Sequence, residues 1–237
     1  MTNSEKKFID ITQNEKNLCV PYGKIGLAPT THIFSWHPLI MHKITEMRKK
    51  DTNSSTFRQL VGEVTMLICS EAMQHLDTEE YVIETPICKT VGRRISGKKL
   101  VVVPILRAGI GMEDAVKLIA PKSRTGHIGL YRDEKTLGPH EYYCKMPKGI
   151  EEREVFILDP MLATGGSANA AIQMVKKKGC KRISFLCIIA APQGVDLIQS
   201  KHPDVNLYIG CLDRGLNNKG YIVPGLGDAG DRIFGTK

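Results

Sequence analysis

The sequence VFILDPMLATGGS, at residues 155–167, combines a strand pattern, a small-residue loop and the start of a helix. Its opening residues VFIL are apolar and partly β-branched, which predicts a buried strand. Asp159 ends the apolar run, and Pro160 cannot donate a hydrogen bond to a strand ladder. The helical pattern ANAAIQMVKKKG follows, and Gly179 is predicted to stop it. A strand, a loop and a helix N-terminus are therefore expected in direct succession.

This succession suits a phosphate group, because free N–H groups and the positive end of a helix dipole meet at the helix N-terminus. Thr164 and Ser167 would add hydroxyl donors, and Gly165 and Gly166 would let the backbone approach an anion closely. Asp159 could hold sugar hydroxyls beside that phosphate. An ordinary βα turn has the same pattern, and the stretch is neither a Walker A loop nor G-x-G-x-x-G.

The composition is typical of a soluble globular protein, with 237 residues, 42% of them hydrophobic and 24% charged. No apolar run is long enough to span a membrane. The polar N-terminus MTNSEKKFIDITQNEKN lacks the apolar core of a signal peptide. The seven cysteines are scattered without a C-x-x-C pair, which indicates reduced thiols in a cytoplasmic protein.

The formal net charge of +8 fits either an anionic substrate or a nucleic acid. The basic residues come in short groups, mostly at predicted helix ends and turns, where a solvated face is the ordinary explanation. No aromatic residues alternate with them, so the stacking platform of a nucleic-acid binder is not indicated. A nucleic-acid partner is therefore disfavoured.

The chain is expected to divide into a polar N-terminal extension at residues 1–30 and a single domain at residues 31–237. Prolines and glycines interrupt the extension between Pro21 and Pro29. It is either a free arm or a segment that packs on a partner subunit. Helical patterns follow at residues 37–50 and 56–75, and residues 81–97 contain a small predicted hairpin.

From residue 100 onward, apolar strand patterns alternate with helical ones. Strands are predicted at residues 100–106, 126–131, 155–158, 183–190 and 205–211, and further helices at residues 111–120 and 194–200. This alternation predicts an α/β fold with a mostly parallel sheet flanked by helices. Ligands bind such sheets beyond the carboxyl ends of the strands.

Two loops at these predicted strand ends carry arginines. Arg107 follows the first strand and lies beside Gly109 and Gly111, where it would either clamp an anion bidentately or form a surface turn. Residues 132–152 are expected to be a long loop that begins with Arg132. Loops of this length are usually lids or disordered segments.

The C-terminal stretch YIVPGLGDAGDRIFGT is rich in glycine, so we expect a shaped loop without regular structure. Apolar residues such as Ile222, Leu226 and Ile233 would anchor it, which argues against a floppy terminus. Fixed backbone groups suit the recognition of a small planar base. A misplaced donor or acceptor on the wrong base would leave buried polar groups unpaired, at about 1–3 kcal/mol each.

Together these motifs resemble those of the type I phosphoribosyltransferases. The segment LDPMLATGGS resembles their phosphoribosyl-diphosphate (PRPP) loop, in the form found in the uracil phosphoribosyltransferases, and YIVPGLGDAGDR resembles the uracil-binding signature of that branch. The resemblance runs from about residue 37 to residue 237 with its motifs in the family's order. It implies the type I phosphoribosyltransferase fold, with N-terminal helices and a small hairpin or hood.

The resemblance also implies site residues and a reaction, in which uracil and PRPP give uridine 5′-monophosphate (UMP) and diphosphate. Ile222, Gly227, Asp228 and Ala229 would contact uracil, and Arg107 and Asp228 would be catalytic. The residues implied to bind PRPP are Arg107, Arg132, Asp159, Pro160, Met161, Leu162, Ala163, Thr164, Gly165, Gly166, Ser167 and Asp228. Mg²⁺ would arrive bound to PRPP rather than in a carboxylate cage.

Several alternatives stay open at this stage. Asp228 is the candidate general base, but uracil could also enter as the anion. A regulatory or RNA-binding protein could keep the same fold without turnover, and another base could replace uracil. The family further suggests a homo-oligomer, either a dimer or a tetramer, and GTP as a candidate activator.

Overall fold

The computed structural model describes residues 27–98, 100–132 and 139–236. Within these residues the helices are α1 Pro38–Arg48, α2 Ser54–Ala72, α3 Ile110–Ile119, α4 Gly166–Lys177, α5 Pro192–Lys201 and α6 Ala229–Phe234. The strands described there are β1 Thr31–Ile33, β2 Thr78–Glu84, β3 Lys89–Ile95, β4 Val101–Leu106, β5 Arg124–Thr125, β6 His127–Arg132, β7 Pro139–Lys145, β8 Glu154–Leu158, β9 Met161–Leu162, β10 Arg182–Ala190, β11 Asn206–Leu212, β12 Gly215–Leu216 and β13 Ile222–Val223.

The central sheet has the strand order β1-β11-β10-β8-β4-β6-β7, with β5 paired to β4 and β9 paired to β10. All of its pairings are parallel except that of β6 with β7. Strand β8 lies between β4 and β10. Because neighbouring parallel strands end at one edge, the loops after β4, β8 and β10 leave the sheet together.

The alternation of side chains along the strands supplies two hydrophobic clusters, one on each face of the sheet. Val102 and Phe156 pack in the cluster that includes residues of α1, α2 and α3. Val103 and Ile157 pack in the cluster that includes residues of α4 and α5. The predicted mostly parallel sheet flanked by helices is therefore confirmed.

Local capping explains where the N-terminal helices begin. Asn53 accepts a hydrogen bond from the Thr56 amide at 2.9 Å, so α2 starts two residues before its predicted first residue. Pro38 stands in the first turn of α1, where its missing N–H is not needed. The predicted hairpin is formed by β2 and β3, which pair with each other and carry mostly exposed side chains.

The prediction of one long loop at residues 132–152 is wrong. Strand β7 lies inside that interval and pairs antiparallel with β6, Ile128 opposite Cys144. Cys144 and Met146 pack against the core cluster on the α4 and α5 face, and this inward packing stabilises a strand where length alone suggested a loop. Residues 133–138, near the start of the predicted loop, lie outside the described residues.

The prediction that the C-terminal stretch lacks regular structure is also wrong in part. Residues 229–234 form the short helix α6, which begins after the N-cap Asp228 and ends at the left-handed Gly235. Strand β1 was not predicted, although it pairs with β11. Residues 1–26 of the predicted extension lie outside the described residues, and the division at residue 30 stays a prediction. Among the described residues, no helix combines the length and apolar character needed to cross a bilayer.

Candidate active site

A cavity of about 400 Å³ opens at the carboxyl ends of the central strands. Three segments supply most of its wall: the turn from β8 into α4, the turn between β12 and β13, and the segment that enters α6. The lining residues are Ala108, Asp159, Met161, Leu162, Ala163, Thr164, Gly165, Gly166, Ser167, Ala168, Lys219, Gly220, Tyr221, Gly227, Asp228, Ala229 and Gly230. Its volume falls in the range of small-molecule sites.

The turn from β8 into α4 has the geometry of an anion site. Gly165 is the N-cap of α4 and has a φ of 82°, a left-handed conformation that favours glycine. A Cβ on Gly165 would lie 2.9 Å from Cδ2 of Leu197 and 3.2 Å from the carbonyl oxygen of Gly194. No side chain within the described part of the chain caps this helix N-terminus, and its first residues, Gly166, Ser167 and Ala168, line the cavity.

Asp159 is half-buried directly after β8, where its Oδ1 accepts a hydrogen bond from the Met161 amide at 3.2 Å. Pro160 is buried, and its carbonyl accepts hydrogen bonds from Ile188 and Ile189 of β10. Pro160 is therefore a structural support behind the wall rather than part of the lining. Burial, and then the negative charge of Asp159, raises the pKa of the Cys187 thiol well above its ordinary value.

The two arginines of the predicted diphosphate site differ in what the structure shows. Arg107 follows β4 and is 60% exposed, with Nη2 lying 3.5 Å from Oδ1 of Asp231 and its guanidinium 5.9 Å from the Phe234 ring. Its neighbour Ala108 lines the cavity, whereas Arg107 does not. Arg132 ends β6, next to β4, and its side chain lies outside what is described.

The C-terminal segment brings backbone and one carboxylate to the cavity. The predicted uracil-binding residues Gly227, Asp228 and Ala229 line the cavity, and Oδ1 of Asp228 accepts a hydrogen bond from the Asp231 amide at 2.9 Å. Ile222 does not line the cavity, because it is buried in the core and pairs with Leu216 between β12 and β13. The predicted contact of Ile222 with uracil stays a prediction.

Lys219 and Tyr221 also line the cavity and were not among the predicted site residues. Both lie on the turn between β12 and β13. The side chain of Asn217 organises this turn by accepting hydrogen bonds from the amides of Lys219 at 2.9 Å and Tyr221 at 3.0 Å. An Asn followed by Lys-Gly is an ordinary turn signal, so nothing in the sequence alone distinguished this turn from the others.

The described residues contain no group of three or more His, Cys, Asp or Glu side chains placed to hold a metal ion. Asp159 and Asp228 are nevertheless both on the cavity wall. One or two carboxylates together with substrate phosphates are the usual protein environment of Mg²⁺. The donor set therefore fits a Mg²⁺ ion that is held largely by a bound diphosphate.

The mostly parallel sheet is covered by helices on both faces, and a small-residue loop joins its central strand β8 to α4. This is the architecture of the type I phosphoribosyltransferases. The AQ2163 protein from Aquifex aeolicus has a similar structure, with a TM-score of 0.81, 36% sequence identity and coverage of 86% of this chain and 97% of that one. The fold class expected from the sequence is confirmed.

The family follows from the sequence comparisons. A family model described as "Uracil phosphoribosyltransferase" matches residues 34–236. A protein of that name from Clostridium botulinum (strain Eklund 17B / Type B) is 57% identical over 201 residues, which are 85% of this chain and 96% of the relative. Another from Agathobacter rectalis is 60% identical with the same coverage. The chain belongs to the uracil phosphoribosyltransferase family, a group of pentosyltransferases.

Replacing Gly165 with Ala should weaken phosphate binding, because the added Cβ meets Leu197 and the left-handed conformation disfavours alanine by about 1–2 kcal/mol. We expect the Kd for ribose 5-phosphate, measured by calorimetry, to rise about tenfold. Gly97→Ala is the matched control, since Gly97 also has a left-handed φ of 65°. It has open space around it, follows β3 and does not line the cavity. Equal affinities in both variants would remove this loop from the phosphate site.

Proposed function

We propose that this chain transfers the phosphoribosyl group of PRPP to N1 of uracil, giving UMP and diphosphate. One observation carries the proposal: the anion-binding turn before α4 and the glycine-rich segment before α6 line the same cavity. A sugar phosphate on the first and a planar base on the second would meet at the sugar C1. Each of the two substrates would therefore have its own binding surface in the same cavity.

In this arrangement the turn at residues 163–167 holds the 5′-phosphate through its N–H and hydroxyl groups. Asp159 accepts hydrogen bonds from the ribose hydroxyls beside it. Arg107 follows β4 and Arg132 ends the neighbouring strand β6, and their guanidinium groups bind the diphosphate. Arg107 is 60% exposed and would exchange its 3.5 Å contact with Asp231 for the more highly charged diphosphate.

Displacement at C1 forms the bond from uracil N1 to C1 as the bond from C1 to the diphosphate oxygen breaks. Positive charge develops on the ribose ring and negative charge on the departing diphosphate. The chain's contribution is to position the two reactants and to stabilise these charges with fixed groups. Asp159 and Asp228 offer negative charge to the ribose side, and the arginines offer positive charge to the leaving group.

The base lies against the segment Gly227-Asp228-Ala229, which reads it mainly through backbone groups. Asp228 has one carboxylate oxygen tied to the start of α6, so its carboxylate is held in a defined orientation. It is placed to take the N1 proton of uracil, unless uracil enters as the anion. Mg²⁺ bound to the diphosphate would neutralise part of its charge.

The wider setting of the reaction stays a prediction. We propose a role in pyrimidine salvage in the cytoplasm, in keeping with the free thiols of the six described cysteines. A homo-oligomer, a dimer or a tetramer, and activation by GTP rest on the family resemblance alone. The single domain at residues 31–237 is likewise proposed, with a polar extension before it.

The proposed function is tested by incubating the protein with labelled uracil, PRPP and Mg²⁺ and omitting each component in turn. UMP should form only in the complete mixture. Cytosine and hypoxanthine should compete weakly if the base site is built for uracil. No product from folded protein, with or without GTP, would favour the regulatory or RNA-binding alternative, whose retention of nucleic acid should then fall with salt.

Asp228→Asn should lower kcat about 100-fold or more, because general acid–base groups contribute at least that factor. Asparagine is an equally good N-cap, so α6 should persist and the unfolding midpoint should stay close to that of the wild type. Steady-state kinetics and thermal unfolding measure the two effects separately. A kcat near the wild-type value would exclude the Asp228 charge from catalysis.

Arg107→Ala should raise the KM for PRPP about 10- to 100-fold, because charge-assisted hydrogen bonds to the diphosphate are lost. The KM for uracil should change little. Arg94→Ala is the matched control, since Arg94 is also exposed, pairs with Glu79 at 2.6 Å and lies 5.0 Å from the Tyr81 ring on the β2–β3 hairpin. Equal PRPP kinetics in both variants would contradict the diphosphate clamp.

A further inference from the structure

Asp213 is a fully buried carboxylate that the proposed reaction does not use. It follows β11 at the same sheet edge as the cavity. Its Oδ1 accepts a hydrogen bond from Nη2 of Arg48 at 2.5 Å, and its Oδ2 accepts one from Nη1 of Arg48 at 2.9 Å. Such a bidentate pair combines charge with a fixed geometry.

The same two side chains also hold the backbone of Gly225. Its amide donates to Oδ2 of Asp213 at 2.9 Å, and its carbonyl accepts from Nη1 of Arg48 at 2.6 Å. Gly225 has a φ of 67°, and a Cβ there would lie 2.1 Å from the carbonyl oxygen of Ile222. Both backbone polar groups of Gly225 are therefore fixed by one partly buried ion pair.

A second arginine holds the next residue of the turn. Nη1 of Arg232 donates to the carbonyl of Leu226 at 2.8 Å and to that of Met47 at 2.6 Å. Its guanidinium also lies 4.3 Å from the Phe57 ring of α2, and burial lowers its pKa from the ordinary value. The carbonyls of residues 225 and 226 are thus tied to the C-terminal end of α1, directly before the cavity-lining Gly227.

We infer that the Arg48–Asp213 ion pair is a positioning device that sets the uracil-reading segment at the correct place in the cavity. The inference rests on the proposed function, because it concerns the base site of that reaction. Neither side chain lines the cavity, so both act through the backbone of Gly225. Base recognition by backbone groups depends on where those groups stand, and small displacements are expected to weaken it strongly.

The sugar-phosphate half of the site has a different support. Its loop is held by β9, which pairs with β10, and by α4. The side chains of Arg48 and Asp213 instead bond to each other and to the backbone of Gly225, and Asp213 meets β10 through its backbone amide, which donates to the Ala190 carbonyl at 2.8 Å. Disturbing Arg48 and Asp213 should therefore change the kinetics of uracil while those of PRPP stay nearly constant. A merely structural ion pair would change the stability and leave this split absent.

The test removes both charges at once with the double variant Arg48→Met and Asp213→Leu. Replacing a buried ion pair by apolar side chains of similar volume usually preserves folding, whereas removing one partner leaves a buried charge unpaired. We expect a folded protein whose KM for uracil rises about tenfold or more. Its KM for PRPP should stay within about twofold of the wild-type value, and its preference for uracil over cytosine should fall.

The matched control is Lys43→Met with Glu63→Leu, which removes the 2.5 Å ion pair that joins α1 to α2 away from the cavity. This control should leave both KM values close to those of the wild type. A folded Arg48→Met and Asp213→Leu variant with an unchanged KM for uracil would overturn the inference. So would equal increases in KM for uracil and PRPP.

If the double variant does not fold, Arg48→Lys carries the same test, because an ammonium group cannot reproduce the planar fork that reaches Asp213 and Gly225 together. A selective rise in the KM for uracil supports the inference, and unchanged kinetics contradict it. The wild-type protein in the same assay distinguishes a failure of the proposed function from a failure of the positioning role. Failure of the wild type to form UMP counts against the proposed function, whereas an active wild type with indifferent variants counts only against the positioning role.

Discussion

The packing of β8 between β4 and β10 is the constraint on which the site depends. Parallel strands require crossovers, and the crossovers place the carboxyl ends of the parallel strands at one edge. The acidic residue after β8, the arginine after β4 and the buried carboxylate after β11 therefore come to the same side of the molecule. No individual loop has to be long to bring them together.

The predicted site residues that the structure brings together on the cavity wall are mostly consecutive in sequence. The turn from β8 into α4 needs only a strand, small residues and a helix start, and these local preferences agree with the global fold. Asp159 and the residues from Met161 to Ser167 all line the cavity as a result. Pro160 is the exception, because its carbonyl accepts hydrogen bonds from β10 and the residue does not line the cavity.

The less predictable parts depend on contacts that no local pattern contains. Strand β7 forms because it pairs with β6 and because Cys144 packs against the core. Neither contact is visible in residue composition or segment length, which suggested a loop. Helix α6 was not predicted because the surrounding stretch is rich in glycine, although Asp228 and Gly235 are ordinary cap residues. Lys219 and Tyr221 reach the cavity only because β12 and β13 pair.

The base-reading segment shows the same principle at longer range. Its glycines allow the backbone to adopt these turns, but they allow many other conformations as well. A flexible segment would bind the base more weakly, because binding would have to order its backbone. Selection comes from Arg48, which lies 177 residues away in sequence from Gly225, whose carbonyl it holds. A buried ion pair is weak evidence for stability, because desolvation offsets much of its attraction. Its value here lies in the geometry that it imposes on neutral backbone groups. The two halves of the proposed substrate site thus differ in kind: one contiguous segment forms the proposed phosphate site, whereas distant side chains fix the backbone of the proposed base site.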